Sequence, residues 1–339
     1  MIQTDLIMLP LWALGCCMAA CTIVVPMIAW GCEIVGQQTQ KMFWDKFASQ
    51  SLKLVKLSLA GLLAVLAVPV FTHFHELAAV IKNVFWVQMA LGLSGLFALF
   101  LFLYEAGWKK CRKQKGAHIL LGGCTVLLAK AAFWTACYAA LQYTEKTDLI
   151  LQRPFSGASL GVWFVLLGAA IAFACVGLFV LLRRNKDDFG RDYYRFALCF
   201  SFKWALVFFV FHFSAYLFPD MDKLPQLTQG PLLPVLIFAM GTGAGTIWLW
   251  KRIACHANPV AQKSAAVLGI ALLYGFICAS LLLQTSRLNK SNLPLPETAS
   301  GMLFLLQSAP RSGSAIDLMR IKDKGNTPVS HNRCAGNAV

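Results

Sequence analysis

Eight apolar runs, each long enough to cross a lipid bilayer, constrain this chain more than any other feature. They cover residues 6–30, 52–71, 85–104, 117–141, 160–182, 194–218, 232–250 and 265–284. A helix needs about 20 apolar residues to cross the hydrocarbon core, and it is the one open-ended element that satisfies its own backbone there. The sequence therefore predicts an all-α integral membrane protein with eight transmembrane helices.

The composition also favours a membrane protein. Hydrophobic residues make up 58% of the chain and charged residues 13%, about half the charged fraction of a soluble domain. The first run lacks the basic start and the short length of a cleaved signal peptide, so we expect a retained helix. The net charge of +15 is spread over separate connectors, which argues against nucleic acid as a partner.

Basic residues are unevenly divided between the connectors. The connectors after runs 1, 3, 5 and 7, counted with the first five residues of the run that follows, hold seventeen Lys and Arg residues, and those after runs 2, 4 and 6 hold four. Cytoplasmic loops of membrane proteins carry the excess of basic residues. The pattern predicts that both termini lie outside, and we expect a bacterial inner (cytoplasmic) membrane.

Two segments, 31–63 and 181–209, share one pattern of residues. Their alignment pairs Asp45 with Asp192, Phe47 with Tyr194, Lys56 with Lys203, and Leu59 with Leu206. The match predicts an internal repeat of two parallel four-helix bundles, at 1–145 and 146–285. Polar residues with frequent Pro, Ser, Asn and Gly follow at 286–339, which predicts an extended or disordered tail on the outer side.

Three local patterns carry smaller predictions. Basic and aromatic residues alternate at 41–47, so we expect a short helix lying in the headgroup region. Gly241 and Gly245 form a GxxxG pair, which favours the close approach of another helix. His118 lies beside a run of basic residues, and we expect it to be solvated.

Lys130 and Lys203 are the first candidate binding residues. Each ionisable side chain inside a membrane costs several kcal/mol to place, and no Asp or Glu lies within any of the eight runs. The two lysines could meet a quinone oxygen, a haem propionate or a carboxylate of a neighbouring subunit. Alternatively, they extend along the helix and reach water.

His73, His75 and His212 are the second candidate set, on the predicted outer side. The first two follow run 2, and His212 lies in run 6, which is the repeat mate of run 2. One histidine from each run would be the minimum for a b-type haem, or the pair could hold a quinone headgroup by hydrogen bonds. They could equally be interfacial histidines that bind no cofactor.

Catalytic and metal sites are not predicted. The chain shows no hydrolase or phosphotransfer pattern, and it contains no CxxC. Most of its twelve cysteines fall inside the apolar runs, where cysteine behaves as a small apolar residue.

The junction between the first two runs resembles a known family. The residues that carry the resemblance are Glu33, Gly36, Thr39, Phe43, Asp45, Lys46, Phe47 and Ala48. They are similar to the first helical hairpin of the cytochrome bd quinol oxidase subunit I superfamily, which implies two four-helix bundles and a quinone-linked role in electron transport. The family's haem-ligating histidine in the first helix has no counterpart here, so the resemblance does not imply oxygen reduction.

Architecture and resemblance together predict a membrane anchor or quinone-interacting subunit of a multi-subunit respiratory electron-transfer complex. Its partners would be the lipid bilayer, the other subunits and quinone; whether the chain is itself an enzyme stays open.

One alternative is a transporter or permease, which the repeat favours. Transporters usually have interrupted helices, and here 241–245 is the single candidate break. Another alternative is a non-catalytic assembly or accessory subunit.

Overall fold

The computed structural model describes residues 2–72, 81, 85–110, 114–143, 154–186, 189–217 and 233–290. Eight long helices account for most of them: α1 (Ile2–Thr39), α2 (Met42–Thr72), α3 (Phe85–Lys110), α4 (Lys115–Tyr143), α5 (Pro154–Arg183), α6 (Arg191–Leu217), α7 (Leu233–Cys255) and α8 (Lys263–Lys290). The described residues form no strand. Every helix contains a segment of 19 to 31 residues that is apolar enough to cross a membrane. The prediction of an all-helical, multi-pass membrane protein is confirmed.

Consecutive helices pack in pairs, and α1 joins the pairs together. The most extensive contacts are α1 with α2, α3 with α4, α5 with α6, and α7 with α8. Helix α1 also packs on α4, α5 and α8. Its buried positions include the small side chains of Ala13, Cys21, Val25 and Ala29, which allow close approach of neighbouring helices.

A two-residue turn connects α1 to α2. Gln40 has a φ of 54°, in the left-handed region that ends a helix. Helix α2 then runs without interruption over Met42–Thr72, so the prediction of a separate headgroup helix at 41–47 is wrong. The aromatic residues of this stretch pack against α6 instead, and the ring centroids of Trp44 and Phe196 are 4.8 Å apart.

The α1–α2, α3–α4 and α5–α6 junctions lie at the same end of the bundle. Lys115, the first residue of α4, donates to both carboxylate oxygens of Asp45 in α2, at 2.9 and 2.8 Å. Phe43 of α2 contacts Tyr193 of α6, with ring centroids 6.1 Å apart. This end is termed the basic end. Its exposed cations are Lys41, Arg184, Lys186, Arg191 and Arg195.

The predicted tail lies mostly outside the described residues. Helix α8 extends to Lys290, five residues beyond the predicted end of the second bundle. The prediction of an extended tail over the remaining residues stays a prediction.

Helix α7 is continuous through its three glycines. A Cβ atom added at Gly243 would overlap the ring of Phe213 on α6, and one at Gly245 would lie 2.9 Å from a leucine methyl of α8. Gly241 has nothing within 4 Å. The close approach therefore uses Gly243 and Gly245, and the predicted role of Gly241 is wrong. Residues 241–245, the single candidate break considered for the transporter alternative, are therefore continuous helix.

Replacing Gly243 with Ala should destabilise the protein. The added methyl group would overlap Phe213, whose ring is already packed against Phe209 and Phe276. Overpacking of this kind costs about 1–3 kcal/mol. The matched control is Gly241→Ala, which adds a methyl group in open space and should be neutral or slightly stabilising. Thermal unfolding in one detergent compares the two variants, and equal midpoints would contradict the α6–α7 contact.

Candidate functional site

A carboxylate, an imidazole and a phenol meet inside the bundle near the basic end. Glu33 Oε1 lies 2.5 Å from His118 Nδ1, and the Tyr104 hydroxyl donates to Glu33 Oε2 at 2.7 Å. His118 Nε2 lies 2.8 Å from the carbonyl oxygen of Tyr104. These three residues, termed the buried network, come from α1, α3 and α4. They are only 2%, 0% and 4% exposed for Glu33, Tyr104 and His118, so every polar atom has to be satisfied from within.

Neighbouring residues on α3 and α4 shape the space around the buried network. Trp108 lies one helical turn after Tyr104, and its ring centroid is 4.9 Å from that of His118. Gly122 lies one turn after His118 on α4. A Cβ atom at Gly122 would be 2.8 Å from the Tyr104 ring and 2.9 Å from Trp30. Glycine at this position therefore lets α4 approach both α3 and α1.

The expectation that His118 is solvated is wrong. Its basic neighbours suggested a surface position, but Lys115 points outward to Asp45 while His118, one turn later, points inward to Glu33. Glu33 was named only for the family resemblance and was not predicted as a site residue. The charge of Glu33 was the signal in the sequence that could have indicated a site, because an acidic residue in a membrane helix requires a partner.

The buried network can do two things chemically. It can hold α1, α3 and α4 in one register, and it can keep a proton shared between a carboxylate and an imidazole. Because it is closed on all sides, it offers no surface on which a substrate could dock. The geometry therefore favours a positioning role for Glu33, Tyr104 and His118.

Lys130 and Lys203 are placed very differently from the buried network. Lys130 is the sixteenth of the 29 residues of α4, and Lys203 is the thirteenth of the 27 residues of α6. Both therefore lie at the middle of a membrane helix, and both are exposed. Within the described part of the chain, neither lysine forms an ion pair or a hydrogen bond. Lys56, the predicted repeat mate of Lys203, binds Glu105 of α3 at 2.6 Å.

An aromatic ladder runs along α6 beside Lys203. It consists of Phe196, Phe200, Trp204 and Phe208, which are four residues apart and share one face. Phe173 of α5 stacks on it, with ring centroids 5.8 Å from Phe208 and 6.3 Å from Trp204. Trp204 is 41% exposed and the other members are partly buried. The ladder is therefore open to lipid along one side, and Lys203 lies three residues after Phe200 on that helix.

Of the predicted histidine candidates, His212 does not lie on this exposed surface. His212 is buried against Phe209 and Phe276, with centroids 6.4 and 6.0 Å away. His73 and His75 lie outside the described residues. The structure therefore separates His212 from the two exposed lysines. Pairing of His212 with His73 or His75 around a b-type haem stays a prediction.

No protein-family model, curated protein or solved structure matches the chain. The resemblance to the cytochrome bd superfamily at residues 33–48 therefore rests on those residues alone. Function has to be argued from the sites themselves.

Replacing His118 with Leu should destabilise the protein strongly. Glu33 would keep the hydrogen bond from Tyr104 but lose its imidazole partner, and removing one member of a buried ion pair costs about 3–5 kcal/mol. The matched control is Lys115→Met on the same helix, which breaks a partly exposed pair and should cost about 0–1 kcal/mol. Thermal unfolding followed by circular dichroism measures both.

The double variant Glu33→Gln, His118→Leu serves as a further check, because it removes the stranded charge and should recover part of the loss. A His118 variant as stable as the Lys115 control would show that the buried network does not hold the helices.

Proposed function

We propose that the chain is a membrane anchor and quinone-interacting subunit of a multi-subunit respiratory electron-transfer complex in a bacterial inner membrane. The observation that carries the proposal is the exposed cation of Lys203, at the midpoint of α6 and beside the aromatic ladder. A cation at this depth requires an oxygen partner, and aromatic rings open to lipid offer flat contact surfaces. A quinone has both carbonyl oxygens and a flat ring, and it is soluble in lipid.

The residues present fit a quinone in composition. Lys203 would donate to a carbonyl oxygen, and Trp204 with Phe200 would contact the ring or the apolar tail. A bound quinone exchanges two electrons and two protons; the residues of this chain would bind and orient it, and the electrons would pass to or from partner subunits.

The contrast between the two repeat mates supports a ligand at Lys203. Lys56 in α2 is bound by Glu105 of the following helix. Helix α7, which follows α6 and packs on it, contains no Asp or Glu at all. Among the described residues, Lys56 therefore has a counter-charge and Lys203 has none, which favours another molecule as the partner of Lys203.

The finer architecture belongs to the same proposal. It comprises two parallel-repeat bundles at 1–145 and 146–285, both termini outside, and an outer tail at 286–339. Packing of α1 on α5 and of α2 on α6 supports two equivalent hairpins at the centre. The excess of Lys and Arg at the basic end supports its location in the cytoplasm. The resemblance at residues 33–48 to the cytochrome bd superfamily supports the quinone-linked role.

Replacing Lys203 with Met should weaken quinone binding by about ten-fold or more, since a hydrogen bond from a charged donor contributes about 1.5–3 kcal/mol. The fold should survive, because Lys203 is exposed and gives up no ion pair within the described residues. Equilibrium binding of a radiolabelled short-chain quinone to the purified chain in lipid nanodiscs measures the change. Lys130→Met is the matched control, because it removes a lysine at the middle of another helix. This variant should bind quinone as tightly as the unmodified chain. Equal losses in the two variants would contradict a site at Lys203.

A further inference from the structure

Lys130 lies too deep in α4 for its charge to reach either membrane surface. Fifteen residues separate it from Lys115 and thirteen from Tyr143, which is about 22 Å and about 20 Å of helix. Helical side chains lean toward the N-terminus of the helix, and the four-carbon stem of lysine covers about one turn. In a hydrocarbon layer about 30 Å thick, the ammonium group remains about 10 Å from the nearer boundary.

The face of α4 around Lys130 is apolar and uncovered. Leu127 and Trp134 lie three residues before and four residues after Lys130, so they share its face. They are 68% and 57% exposed. Lipid tails are a sufficient environment for a leucine and a tryptophan, but they do not solvate a charge. This face therefore requires a partner that carries the opposite charge.

The described membrane spans do not supply that charge. The candidate spans contain four acidic residues, namely Glu33, Asp45, Glu105 and Asp192. All four lie within about two helical turns of the basic end. A second copy in the same membrane would present the same residues at the same depth. A homodimer through this face would therefore leave Lys130 unpaired.

We propose that the outer face of α4 binds a transmembrane helix of a different protein chain, which places an Asp or Glu carboxylate against Lys130. The proposal rests on the proposed function for the existence of partner subunits, and it adds the chemistry of one of them. It does not depend on quinone binding. A carboxylate at this depth would convert two isolated charges into a buried ion pair, which is strongly directional in lipid. Leu127 and Trp134 would supply the apolar contacts on either side of the pair.

Photo-crosslinking in native membranes tests the proposal without altering Lys130. The full chain carries an affinity tag and p-benzoylphenylalanine in place of Leu127, and the crosslinked peptide is identified by mass spectrometry. Leu268 is the control position, since it is 52% exposed on α8. We expect an adduct from position 127 with an apolar segment of a different chain that contains Asp or Glu, and no such adduct from position 268.

Variants of Lys130 then test the charge itself. Lys130→Met should reduce the yield of the adduct by roughly ten-fold or more, because the partner carboxylate would be left unpaired in lipid. Lys130→Arg keeps the charge and should retain the adduct, which also controls for folding. Lys130→Asp should abolish the adduct, and changing the partner carboxylate to Lys should restore it.

Several results would overturn the proposal. These are an adduct with a second copy of the chain, an adduct with a segment that lacks a carboxylate, adducts with lipid or quinone alone, or a Lys130→Met variant that crosslinks as strongly as the unmodified chain. Quinone binding measured on the same preparations separates this outcome from failure of the proposed function. If the adduct is lost while quinone is still bound, the result bears only on the site at Lys130. If Lys203→Met loses quinone binding, the result bears only on the site at Lys203.

Discussion

The short contact between Glu33 and His118 is the interaction on which the arrangement of the first four helices depends. A carboxylate enclosed in a membrane bundle must find donors, and here they come from α3 and α4 rather than from the adjacent α2. This requirement draws α4 onto α1, and Gly122 permits the approach. Helix α3 packs mainly on α4 and little on α2, and only 17% of its span is buried. The buried network therefore stabilises the attachment of a whole hairpin.

The charges inside the membrane helices fall into two groups. Glu33, Asp45 and Glu105 lie near the basic end, and each has a partner within the chain. Lys130 and Lys203 lie at the centres of their helices, face outward and find no such partner among the described residues. The first group links helices of the bundle, whereas the second forms no ion pair with any described residue. Two positive charges therefore remain exposed at the centres of their helices.

The number and type of the helices could be predicted because the bilayer imposes both the length and the apolarity of a span. The apolar run predicted at 85–104 lies within α3. Helix α1 continues to Thr39, beyond its predicted end, because helical hydrogen bonding does not stop where the apolar run does.

Which side of each helix meets its neighbour could not be predicted. Membrane helices are hydrophobic all round, so the periodic signal that marks the buried face of a soluble helix is weak. The depth of Lys130 was readable from its position in the run, but its exposure was not. For the same reason the burial of His118 could not be predicted, because a histidine next to basic residues can face either the interior or the surface. Lys56 and Glu105 form an ion pair between α2 and α3, and no local sequence pattern predicts that contact.

The central position of α1 has a consequence for biogenesis. Tyr274 of α8 donates to the carbonyl oxygen of Pro10 at 2.6 Å, across 264 residues of sequence. At a synthesis rate of about 5–20 residues per second, α1 waits some tens of seconds for α8. During that interval one side of α1 is covered only by lipid or by a helper protein. A chain released before α8 is synthesised would leave this side of α1 without its partner helix.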